Sequence, residues 1–265
     1  MRRGGMQNRF GDLTVQMGDD HVATVEIHRP PANFFDIALI KDLANAYRAV
    51  DDDPDARAIV LCSEGRHFCA GADFNAQSDA QPLGSDHTAS LYAEAVKLFS
   101  ASTPVVAAVQ GAAIGGGLGL ACSADFRVAC PEARFAANFS RLGFHQGFGL
   151  SVTLPLIVGP QRSLELLLTG RRITGDAAAA MGLCDRLCAQ DQVRVEARRL
   201  AAEVAAAAPL AVRSIRTTQR GDLAGLVRDA TVREGAEQVR LRGTEDFAEG
   251  IAASAERREP VFRGH

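Results

Sequence analysis

Two adjoining stretches, Pro104-Val-Val-Ala-Ala-Val109 and Ile114-Gly-Gly-Gly-Leu-Gly-Leu-Ala-Cys122, decide the fold. The first is short, wholly apolar and rich in valine, which reads as a buried strand of a parallel sheet. The second reads as a helix from about 115 to 123, entered through three glycines. A strand running into a glycine-rich helix start exposes backbone N–H groups at the positive end of a helix dipole. Such a place suits an anion or a developing negative charge. It is not a dinucleotide fingerprint, because Leu120 or Cys122 stands where GxGxxG needs its third glycine, and no Walker-type lysine follows.

The same alternation extends upstream. Residues 13 to 29 read as a hairpin, with Leu13-Thr-Val-Gln-Met17 turning at Gly18-Asp-Asp20 into His21-Val-Ala-Thr-Val-Glu-Ile-His28. Asp36 starts a helix whose apolar face is Ile37, Ile40, Leu43, Ala44, Tyr47 and Val50, and Asp51-Asp-Asp-Pro54 ends it. Ala58-Ile-Val-Leu-Cys62 is a further buried strand, a helix is expected at about 88 to 101, and Asp125-Phe-Arg-Val-Ala129 is a strand. The polar, turn-rich segment from Asn75 to Thr88 is expected to be a mobile surface loop. From about residue 160 the strands are expected to stop, leaving helices at 161–168, 176–181, 193–208, 210–219 and 223–242. Alanine-rich helices with apolar surface left over point to a homo-oligomer.

Composition narrows the function classes. With 265 residues, 47% apolar, and a net charge of -3, the chain forms one domain or one with an appendage. A charge so near zero with no basic stripe gives no reason to expect a nucleic-acid or membrane partner. No apolar run reaches the roughly 20 residues that span a bilayer, and the polar start is not a secretory leader, so a cytoplasmic protein is expected. The six cysteines form no CxxC and face no histidine at metal-ligand spacing, so they read as reduced packing residues and no metal site is expected.

The segment Gly65-Arg-His-Phe-Cys-Ala-Gly-Ala-Asp-Phe74 follows a buried strand, where open α/β sheets bind ligands. Taken with the glycine triplet, it closely resembles the paired loops of the crotonase (enoyl-CoA hydratase/isomerase) family. The resemblance also takes in Arg29-Pro30, Asp125, Phe135, Leu167-Leu-Thr-Gly-Arg-Arg-Ile-Thr174 and Ala180-Met-Gly-Leu183, and so spans most of the chain. It implies an α/β fold built as a spiral of β-β-α units, with a core over 1–195 carrying a CoA-thioester site. A helical region over 196–265 would then make trimers or dimers of trimers. It implies an acyl-CoA substrate and no cofactor beyond the coenzyme A of that substrate. The thioester carbonyl would lie between the N–H groups of Ala72 and Gly116, with Ala70, Ala72, Asp73, Phe74 and Asn75 along the CoA and Phe139 against the acyl group. An oxyanion hole of this kind stabilises an enolate, and each donor contributes about 10²–10³ in rate.

The resemblance fails where proton transfer is concerned. The two glutamates that hydratases of the family use map to Gly119 and Phe139, neither of which carries a proton. The loop from Ala136 to Gly149 offers Asn138, Ser140, Arg141, His145 and Gln146 instead, and His145 is the titratable candidate for a catalytic role. The nucleophilic aspartate of related dehalogenases maps to Gly147 and is absent. Three hypotheses follow: an enzyme working through an oxyanion-stabilised enolate, a catalytically impaired acyl-CoA-binding carrier or regulator, and an oligomeric scaffold with a vestigial pocket.

Overall fold

A computed structural model describes residues 8–73 and 85–265. The hairpin β2 (Leu13–Met17) and β3 (Val22–Ile27) pairs in antiparallel register, with β1 (Arg9–Phe10) at its outer edge. Helix α1 (Ile37–Asp51) starts where expected, because Asp36 Oδ1 accepts the Leu39 N–H at 2.8 Å and so caps the first turn. Beyond it β4 (Ala58–Ser63), β5 (Val105–Val109) and β7 (Phe126–Ala129) join β3 in parallel, separated by α2 (Ser85–Phe99). Every residue of β4 and β5 is buried, as their sequences, apolar except for Ser63, require of central parallel strands.

A second layer runs alongside. After β5 the chain enters β6 (Ala112–Ile114), then α3 (Gly116–Ser123), returns to the main sheet as β7, and crosses again to β8 (Arg134–Ala136). Among the described residues, earlier passes touch this layer through single bridges, Phe35 with Ala72 and Cys69 with Ala113. Each circuit thus lays one strand in the main sheet and one extended stretch in the second layer, which is the expected β-β-α spiral.

Several expectations require correction. Strands do not stop at 160: β9 (Ile173–Thr174) pairs with β8, and β10 (Arg186–Leu187) adds a parallel edge to β7. Two-residue strands carry no alternation to read, so only their partners define them. Ser85 to Thr88 form the first turn of α2 instead of a loop, while residues 75–84 of that expected mobile loop lie outside the described residues. Helices α4 (Leu150–Val158) and α10 (Glu245–Glu256) were not anticipated, although Thr244, whose hydroxyl accepts the Phe247 N–H, and two acidic residues mark the start of α10.

The remaining helices, α5 (Pro160–Thr169), α6 (Gly175–Ala180), α7 (Val193–Ala205), α8 (Pro209–Arg220) and α9 (Leu223–Arg242), match the expected spans closely. Helix α7 buries Val193, Ala197, Leu200, Ala201 and Ala205 against β4, β5 and β7, so a division after residue 195 falls within one helix. Among the described residues no helix is long and apolar enough to cross a membrane, and no three metal-ligating side chains cluster.

Asp125 ties α8 to the sheet. Its carboxylate accepts the Val105 N–H at 2.8 Å, Arg216 Nε at 2.9 Å and Arg220 Nη1 at 2.7 Å. All three side chains are nearly buried, so removing the carboxylate strands two guanidinium groups. Asp125→Ala is expected to cost about 3–5 kcal/mol and to lower the thermal midpoint by roughly 6–15 °C, with Asp125→Asn milder because it keeps an acceptor for Val105. Thermal denaturation followed by circular dichroism checks both.

Candidate active site

The two loops singled out in the sequence meet at one seam. Cys69 N–H donates to Ala112 C=O at 2.9 Å and Ile114 N–H donates back to Cys69 C=O at 3.1 Å. Gly117 lies directly behind: a Cβ there would sit 2.1 Å from the Cys69 carbonyl oxygen, so only glycine permits the approach. Gly71 (φ 94) and Gly115 (φ 56) take left-handed backbone angles on either side of the seam, which leaves Ala72 and Gly116 facing the same space. Neither of those two N–H groups donates to an acceptor among the described residues. They are two amide donors at the mouth of a helix dipole, both half-exposed to a cavity of about 500 Å³.

Buried amide side chains hold this arrangement. Asn33 Nδ2 donates to the carbonyls of Glu64 (2.9 Å) and His67 (2.7 Å), and Gln110 Nε2 donates to that of Ser63 at 2.9 Å. The loop leading to Ala70 is therefore fixed from two directions. Neither role is legible in the sequence, since an isolated Asn or Gln has no periodic signature.

Of the expected site residues, Ala70, Ala72, Asp73, Gly116 and Phe139 line the cavity, whereas Phe74 and Asn75 lie outside the described residues. His145, the expected titratable candidate, stands apart from these. It is not among the lining residues, and its Nδ1 lies 2.8 Å from the Gln146 carbonyl, held within its own loop. His67 does line the cavity. Its Nδ1 accepts the Ala112 N–H, and burial, with a smaller contribution from Arg66, pulls its pKa down, so the ring is biased toward its neutral form. Cys69 is inert: burial lifts its thiol to about 12.

The positions mapped to hydratase glutamates are occupied by aromatic packing. A Cβ on Gly119 would lie 2.6 Å from Phe148 Cβ and 2.9 Å from its ring, so that ring fills the room a side chain would need. Phe148 is held at φ 60, unusual for so large a residue, and its ring stacks edge-on against Phe35 at 5.4 Å. Phe139 meets Phe144 in the same manner at 5.4 Å. Asp73 is the only carboxylate among the described lining residues.

Helix α9 braces the loop that carries Phe148. Buried Glu234 accepts the N–H groups of Gly149 and Ser151, each at 2.9 Å, and Gln238 Nε2 donates to His145 C=O at 3.0 Å. The Tyr92 hydroxyl, bonded to Gln238 Oε1 at 2.9 Å and to the Phe148 N–H, has its pKa driven upward by burial.

The enoyl-CoA hydratase/isomerase family model matches residues 18–265. A carnitinyl-CoA dehydratase of Salmonella arizonae is 32% identical over 254 residues, covering 92% of this chain and 95% of its own. Among solved structures, an enoyl-CoA hydratase/isomerase from Pseudoalteromonas atlantica superposes with a TM-score of 0.84 at 30% identity, covering 95% of this chain and all of that one (100%). A carnitinyl-CoA hydratase from Mycobacterium avium superposes at 0.85 with 30% identity, covering 96% and 99%.

The seam predicts an asymmetric glycine series. Gly117→Ala is expected to destabilise the fold by about 1–3 kcal/mol because it meets backbone. Gly243→Ala, at φ -81 with its nearest contact at 3.5 Å, is expected to change the thermal midpoint by no more than the error of the measurement.

Proposed function

The chain belongs to the enoyl-CoA hydratase/isomerase family, and we propose that it binds an acyl-CoA thioester whose carbonyl oxygen is held between the N–H groups of Ala72 and Gly116. The observation that carries this reading is the pair of amides, without an acceptor among the described residues, that converge on one cavity at the start of α3. Preorganised donors in a largely apolar surround stabilise negative charge as it develops on the carbonyl oxygen, which makes the thioester α-carbon acidic. Exposed Arg134 and Arg172, on the wall formed by β8 and β9, suit the anionic phosphates of coenzyme A. Enolate formation at the α-carbon is then the common step.

On this reading hydration does not proceed through a pair of glutamates: Phe148 packs against Gly119, and Phe139 stands at the second mapped position. Proton transfer falls to Asp73, His67 or ordered water. Because the cavity keeps its oxyanion donors while losing both carboxylates, a second reading has specific support: a protein that binds acyl-CoA as carrier or regulator without turning it over. A homo-oligomer, trimer or dimer of trimers, is part of the proposal, supported by exposed apolar side chains on α8 and α9 such as Leu210, Ile215 and Val232. The cytoplasm is the proposed compartment, consistent with six free cysteines, five of them buried.

Calorimetry with butyryl-CoA is expected to show binding, and mass spectrometry in D₂O is expected to show exchange of its C2 hydrogens. Gly116→Pro, which deletes one donor, should slow that exchange by about 10²–10³. Binding without exchange would instead select the carrier reading, and absence of any CoA affinity would overturn both. Conversion to a hydratase is expected to need three changes, Gly119→Glu, Phe139→Glu and Phe148→Gly. The double variant that keeps Phe148 should remain inactive toward crotonyl-CoA in a spectrophotometric assay.

A further inference from the structure

Two cysteines meet at the far edge of the main sheet. The pairing of β10 with β7 sets Arg186 opposite Val128 and Leu187 opposite Ala129, so one step on Cys188 stands opposite Cys130. The strands have not parted there, because the Cys188 N–H still donates to the Ala129 carbonyl at 3.0 Å. The ladder stops at the next rung, where Pro131 has no N–H to give. Directly opposite residues of neighbouring strands lie about 4.8 Å apart and project to one face. That spacing falls within the roughly 4.4–6.8 Å that separates the α-carbons of a disulfide.

The two thiols differ in access. Cys130 is fully buried, its Sγ–H donating to the Gln110 carbonyl at 3.3 Å, while Cys188 is partly exposed. Gln110 is also the residue whose side-chain amide anchors the loop leading to Ala70, so Cys130 touches the brace of the candidate site. Among the described residues no three metal-ligating side chains gather, which leaves the pair to chemistry between its own sulfurs. Burial is the main cause that lifts both thiols above the ordinary cysteine range, with Glu196 adding to it at Cys188 and the Ala133 N–H partly offsetting it at Cys130. Thiolate is therefore scarce at neutral pH, and the pair reacts slowly. A cytosolic pair of this kind is reduced at rest and changes state only while oxidant persists.

We propose that the opposed pair Cys130 and Cys188 is an oxidation site, closing to a reversible disulfide across the β7–β10 edge when a hydroperoxide is present. Cys188, the accessible partner, reacts first. Its thiolate attacks one peroxide oxygen, the O–O bond breaks, and hydroxide leaves as the sulfur becomes a sulfenic acid. The Cys130 thiolate then attacks that sulfur, forming the S–S bond and breaking the S–O bond, and a second hydroxide leaves. The two hydroxides take up the two thiol protons, so two thiols and one hydrogen peroxide give one disulfide and two waters. Exposure of Cys188 keeps the bond open to attack by a small thiol, which restores the pair.

The test treats the full-length protein with hydrogen peroxide, blocks remaining thiols with N-ethylmaleimide under denaturing conditions, and maps tryptic peptides by mass spectrometry without reduction. The expected first cysteine product is Val128–Arg134 joined to Leu187–Arg194, lighter than the separate peptides by two hydrogen atoms and parted again by dithiothreitol. Trypsin cuts after Arg186, so Cys184 travels on a different peptide and cannot imitate this product. Cys188→Ala, a change at a partly exposed position, is expected to yield no cross-link and to leave Cys130 a free thiol. In Cys130→Ser the Cys188 sulfur is expected to run on to the sulfinic acid, since nothing resolves its sulfenic acid. Sulfinic acid at Cys188 in the unmodified protein, with Cys130 still free, overturns the proposal without needing any variant to fold. A first cross-link through any other pair of cysteines also overturns it, as does the absence of any cysteine product until circular dichroism shows the fold lost.

Discussion

The site depends on a close approach of two backbones. The carbonyl of Cys69 can reach the second layer only because Gly117 presents no Cβ, and the exchange of hydrogen bonds between Cys69 and the chain from Ala112 to Ile114 locks that approach. Fixing these two loops fixes the Ala72 and Gly116 amides without asking anything of their own side chains. Asn33 and Gln110 extend the lock into the interior by satisfying carbonyls of the loop that precedes Ala70. The placing of these two amides is therefore a property of main-chain geometry and not of the side chains around them.

The surroundings of the donors are aromatic. Phe148 packs against Gly119 closely enough to leave no room for a side chain there, while Phe139 closes the wall with a further ring. The result is tightly packed and poor in groups that exchange protons. Among the described residues the cavity offers a pair of amide dipoles, a carboxylate at Asp73, a histidine biased toward neutrality at His67, and the arginines Arg134, Arg172 and Arg242, the last beside an aromatic ring.

Much of the framework was legible from sequence because it is written in local patterns. The hairpin alternation from Leu13 to Ile27, the capped helix after Asp36, the buried strands at 58–62 and 104–109 and the two glycine loops each carry their signal within a few residues. The failures are of another kind. Strands β9 and β10 exist only through partners far away in the chain, and His145 points into its own loop for reasons set by Gln146 and α9. Phe148 against Gly119, and Arg242 among the aromatic rings, are likewise contacts between segments that no local pattern links. Thr244 is different, for its capping signal before α10 was present and could have been read.

The bracing of the 145–151 loop by α9 has a mechanical consequence. Both oxygens of Glu234 are engaged by amides at the start of α4, and Gln238 grips the same loop one helical turn further on. Helix α9, the loop and the beginning of α4 consequently move as a single stiff plate. A guest that is too broad for the cavity finds no hinge on that side, and its misfit is stored as strain instead of being relieved by displacement. Rigidity of this sort turns small differences in ligand shape into large differences in occupancy.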